Sequence, residues 1–127
     1  MKGAIMVKKE YLLNCLYRKI FEHYKTIEKE NKKVHYMCLQ YYFDLECKDI
    51  GVRFIFDENE TKKYENKYCT LLLDDNELTM AVQDYLLSFE PEEKYEEYQL
   101  LIKELFDKME QKFAKILDCE IELEEYD

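Results

Sequence analysis

This 127-residue sequence predicts an α+β domain: an N-terminal helix, a three-stranded antiparallel sheet, then two helices of which the last is long. Three observations carry that prediction. Apolar residues recur at spacings of three and four near both ends, the mark of helices with one buried stripe. Between them, "HYMCLQYYFDLEC" (35–47) alternates residue by residue, the mark of a strand. Only two glycines and one proline occur, so turns are few and regular elements long.

The first helix reads from about residue 8 to 29, with Leu13, Leu16, Tyr17, Ile20, Tyr24 and Ile27 as its stripe. Lys29, Lys32 and Lys33 follow at the end where cations suit the helix dipole. In the first strand Met37, Leu39, Tyr41, Phe43 and Leu45 share one parity, and Tyr36, Cys38, Gln40, Tyr42, Asp44 and Glu46 the other. The first set is expected in the core. Tyr36 and Tyr42 are expected on a second face, open if the helices cover one side only. "CKDIG" supplies a turn with Gly51, "VRFIF" returns with Val52, Phe54 and Phe56 on one face, and "YCTLLL" (68–73) reads as the third strand.

"DDNE" (74–77) signals a helix start, with Asp75 or Asn76 as the cap. Leu78, Ala81, Val82, Tyr85 and Phe89 follow at helical spacing. Pro91 interrupts and restarts the pattern. From 91 to about 118 one long helix is expected, with Tyr95, Tyr98, Ile102, Leu105, Met109 and Ile116 in its stripe and Leu101, Phe106 and Phe113 widening it. "CEIELEEYD" alternates briefly and reads as a short edge strand or an acidic tail. No repeat or linker divides the chain, so residues 1–127 are read as one domain.

Composition narrows the function. The apolar run in "MKGAIMVKKE" is too short for a secretory signal, and no stretch approaches the roughly 20 apolar residues of a membrane span. Five widely spaced cysteines without a C-x-x-C pattern suit reduced thiols, and a cytoplasmic protein is expected. The net charge of −10 is polarised. Residues 1–33 hold nine Lys/Arg against four Asp/Glu, whereas residues 90–127 hold five against fourteen. Such a chain repels nucleic acid and anionic membranes over most of its surface.

Catalytic signatures are missing. Ser88, the one serine, lies outside any nucleophile motif. His23 borders a helical stripe and His35 opens a strand. The acids Asp57, Glu58 and Glu60, and Asp74, Asp75 and Glu77, do not follow a calcium-loop pattern. Zinc has no Cys/His cluster, and two glycines make no phosphate loop. No enzyme activity, cofactor or metal is expected. Aromatic residues on a sheet can stack on bases, but such surfaces bring Lys and Arg, and here only Arg53 stands near Tyr36 and Tyr42.

What remains is acid and tyrosine. Glu92, Glu93, Glu96 and Glu97 open the long helix, and Glu120, Glu122, Glu124 and Glu125 close the chain. With Tyr36 and Tyr42 they form the expected partner-binding set, complementary to a protein with a basic surface. The expected function is a small acidic inhibitor that covers the basic nucleic-acid-binding surface of a partner, in the manner of anti-CRISPR proteins or nuclease immunity proteins. That comparison is one of type, with no motif behind it. The alternative is a secretion-chaperone-like or adaptor module that holds a client segment and forms a homodimer along the long helix.

Overall fold

Alternation through the first strand builds the centre of the sheet. The computed structural model describes residues 2–30, 33–44, 48–56, 67–116 and 120–125. Its elements are α1 (Lys2–Lys29), β1 (Val34–Phe43), β2 (Lys48–Phe56), β3 (Lys67–Leu71), a 3-10 turn (Leu72–Asp74), α2 (Asn76–Leu86), α3 (Pro91–Ile116) and β4 (Glu120–Glu125). In β1, Met37 and Leu39 are fully buried, and Tyr41 nearly so. Opposite them in β2 stand Phe54, Val52 and Ile50. The pairing shifts between Val34 and Tyr36, a bulge that turns Val34 onto the same buried face as Met37 despite its even number.

The sheet corrects the expected three antiparallel strands. It has four strands in the order β3-β2-β1-β4, and it is mixed. β2 runs antiparallel to β1 and β3 antiparallel to β2, while β4 lies parallel to β1 on its other side. β3 and β4 therefore point the same way, at opposite edges. Joining them takes a long connection, as parallel directions always do, and α2 with α3 supplies it.

Three local expectations also change. Gly51 belongs to β2 rather than to a turn, between Gln40 of β1 and Leu71 of β3. A Cβ there would stand 3.2 Å from the Thr70 carbonyl oxygen, so close strand approach explains the glycine. The third strand ends at Leu71, since a strand would split Leu72 and Leu73 between two faces. The 3-10 turn instead brings both against the core. α1 begins at Lys2, about six residues earlier than the stripe suggested, and Ile5 in this added length packs on the core. Leu45, Glu46, Cys47, Asp57, Glu58, Glu60 and Cys119 lie outside the described residues, as does the side chain of His35.

One core joins the helices to a single face of the sheet. Leu16, Ile20 and Ile27 of α1, Val82 and Tyr85 of α2, and Leu101, Leu105 and Phe113 of α3 share one core with Met37 and Leu39 of β1 and Val52 and Phe54 of β2. Phe113 sits among Tyr17, Phe21 and Tyr24 of α1, with ring centroids 5.3–6.2 Å away. The long helix thus buries its stripe within the chain, except Tyr95 and Ile116, which are exposed. At its other end Tyr98 is fully buried, stacks at an angle on Phe43 and Tyr41, and donates to the Asp49 carbonyl at 2.8 Å. Among the described residues no helix is long and apolar enough to cross a membrane.

Candidate functional site

Parity along β1 and its neighbours assigns the second sheet face. Tyr36, Cys38, Gln40 and Tyr42 pair in register with Ile55, Arg53, Gly51 and Asp49 of β2. On the other side Tyr36, Cys38 and Gln40 pair with Glu120, Glu122 and Glu124 of β4. None of these side chains belongs to the helix-side core. Among the described residues no helix packs its core on this face, and three glutamates line one margin of it.

Tyr36 donates to Glu122 Oε2 at 2.5 Å. Burial on the sheet, then that carboxylate, push its hydroxyl well above the ordinary phenol range. Cys38, beside Tyr36 on this face, is fully buried. Its thiol lies 3.9 Å from Glu124 Oε2, and burial followed by the Glu124 charge raise its pKa. Arg53 lies opposite Cys38, and its Nε is buried with no hydrogen-bond partner among the described residues.

The helix side of β4 is held differently. Glu125 accepts from Tyr95 at 2.5 Å and Tyr41 at 3.3 Å, and Gln99 donates to it at 3.4 Å. Phe43 packs edge-on against Tyr95 at 5.4 Å. These contacts lay the start of α3 along β4. Glu92 and Glu96 stand three residues before Tyr95 and Gln99, on the same flank of the helix, and both are exposed.

The expected acidic residues therefore divide. Glu120, Glu122 and Glu124 share the open face with Tyr36 and the half-buried Tyr42, and Glu92, Glu96 and Glu125 flank β4 on its helix side. Glu93 accepts the Glu90 backbone N–H at 3.1 Å, closing the N-terminus of α3 as a capping residue does. Glu97 is half-buried, and its charge raises the pKa of Tyr85 on α2, after burial, to about 12. Glu93 and Glu97 are thus turned to the fold itself.

The basic first helix has local partners. Lys8 pairs with Asp84 at 3.3 Å, Lys9 with Glu104 at 2.7 Å and Lys19 with Asp75 at 3.3 Å. Asp75 also caps α2, accepting from Glu77 and Leu78, and the Leu78 amide and Lys19 hold its carboxyl below the usual range. A cleft of about 270 Å³ opens there between α1 and α2, lined by Tyr11, Cys15, Arg18 and Lys19. His23 shares a hydrogen bond of 3.1 Å with Thr70, and burial lowers its pKa. Among the described residues no group of three His, Cys, Asp or Glu side chains is arranged to hold a metal ion.

Compared with known proteins, the chain matches no family model, no curated sequence and no solved structure, so its site is read from its own geometry. The sequence puts Cys38 on the parity of Tyr36 but shows neither its contact with Glu124 nor the placement of β4 beside β1. The alternation of "EIELEE" was the available signal for the strand, but it names neither neighbour nor direction.

Proposed function

We propose that this protein is a small acidic inhibitor that binds another protein through the β4 margin and covers a basic, nucleic-acid-binding surface there. One observation supports this above the others. The ion pairs among the described residues engage Asp75, Asp84, Glu104 and Glu28, and none uses an acid of β4 or of the first two turns of α3. Among the described residues no lysine pairs with that margin, so its negative charge is left to face a partner. Unscreened charge on one side of a small protein speeds encounter with an oppositely charged partner and selects it. The adaptor reading draws less support, because the apolar stripe of α3 from Tyr98 to Phe113 is buried inside the chain.

The test is capture from a cell lysate at low salt and then high salt, with the bound proteins identified by mass spectrometry. Each captured protein is next assayed for nucleic-acid binding in the presence of this protein. The expected result is a nucleic-acid-binding protein that releases its nucleic acid on addition of the wild-type chain. Glu122→Lys with Glu124→Lys should abolish that release. Capture unaffected by salt and by charge reversal would refute the reading.

A further inference from the structure

β4 is the outermost strand of the sheet: only β1 pairs with it among the described residues. Glu120, Glu122, Leu123, Glu124 and Glu125 are exposed, and Ile121 is half-buried. Such an edge presents a row of backbone donors and acceptors to any chain able to lie beside it. The side chains decide which chain that is.

We infer that the β4 edge takes up an extended basic segment of a partner protein as a fifth strand, with Lys or Arg alternating with apolar residues. This rests on the functional reading above and deepens it, naming how the partner docks. Glu120, Glu122 and Glu124 stand on one face two residues apart, a repeat of roughly 7 Å in an extended chain. Cations at alternate positions of an added strand fall directly opposite them, at side-chain pairing distance. Between those cations, the intervening residues face Ile121 and Leu123, where apolar side chains fit.

The same geometry turns away a second copy. An antiparallel pairing of β4 with itself that preserves the faces sets Glu120 against Glu124 and Glu122 against its own copy. Shifting by two residues along one strand sets Glu122 against Glu124 instead. Like charges directly opposite destabilise a pair. Nucleic acid is rejected by the same glutamates. The charge therefore selects a basic polypeptide.

The probe is the hexapeptide (Lys-Val)3, fluorescently labelled for affinity and unlabelled for NMR of the full-length ¹⁵N-labelled protein. Binding is expected at low salt, with slowed hydrogen exchange at alternate amides of residues 120–125. A fully N-methylated copy keeps every charge but cannot donate to a sheet edge, and its affinity should fall about tenfold or more, as loss of several backbone hydrogen bonds requires. If (Lys-Val)3 binds with no change in those amides, or the N-methylated copy binds equally, strand addition is overturned while the acidic docking surface stands. If neither peptide binds, both fall. Protection of the same amides in the protein alone, growing with its concentration, would assign the edge to a second copy and overturn the inference.

Discussion

Tyr98 is the side chain on which the junction of α3, β1 and β2 turns, and its removal is expected to cost more than any surface change. The ring is fully buried and meets Phe43 at 5.2 Å and Tyr41 at 6.3 Å. Its hydroxyl donates to the Asp49 carbonyl at 2.8 Å. Tyr98→Phe keeps the volume and removes one hydrogen bond, a loss of about 1 kcal/mol. Tyr98→Ala also empties a ring-sized space, which costs about 3–5 kcal/mol, and forfeits two aromatic contacts of roughly 0.5–1.5 kcal/mol each. For a chain of this length 1 kcal/mol moves the melting temperature by roughly 4 °C. Thermal melts followed by far-UV circular dichroism should then show Tyr98→Phe lower by ~4 °C and Tyr98→Ala by ~20 °C. Should the alanine variant not fold, Tyr98→Leu supplies an intermediate loss. Equal losses for Phe and Ala would refute the reasoning, since the hydroxyl alone would then carry the junction. So would a loss under about 1.5 kcal/mol for Ala, which is too small for a buried ring.

Three further outcomes are expected. Burial and Lys19 hold the His23 pKa below its ordinary 6.5, so the unfolded chain takes up that proton first. Its contribution to stability is complete above the unfolded value and is lost as pH falls through 6.5 toward the folded one; urea titrations at several pH values should show a shallower acid loss for His23→Gln. Gly51→Ala places a methyl group 3.2 Å from the Thr70 carbonyl oxygen and 3.3 Å from Leu71 Cδ2, and should destabilise by about 1–2 kcal/mol with faster amide exchange in β3. An unchanged melting temperature would contradict the close approach. Iodoacetamide followed by mass spectrometry should label exposed Cys69 before buried Cys38, whose raised pKa also leaves little thiolate; equal rates would mean that the open face does not cover Cys38.

How far the sequence reaches depends on how local the physics is. The parity that sends Met37, Leu39 and Tyr41 inward and Tyr36 outward is a property of neighbouring residues, and so is the Asp75 cap. Whether β4 pairs with β1, and in which direction, depends on where α3 delivers the chain, and no short pattern encodes that. Glu92, Glu93, Glu96 and Glu97 look alike in sequence, yet Glu93 closes a helix end and Glu97 is turned toward Tyr85. Gly51 reads as a turn signal because glycine usually is one. Only the approach of β3 reveals its other use.

The two edges of the sheet are protected in different ways, and the difference yields a last prediction. β3 is five residues long and runs straight into a 3-10 turn, so little edge is offered. β4 is six residues, and its glutamates are its shield. Protection by charge is conditional, since it depends on the sign of what approaches and on the salt between them. At 1 M salt the screening length falls to about 3 Å, which removes repulsion between copies and attraction to a basic strand together. Self-association measured by sedimentation should therefore strengthen with salt while (Lys-Val)3 affinity weakens. If both move the same way, apolar contact and not charge governs the edge, and selection of a basic partner at β4 fails.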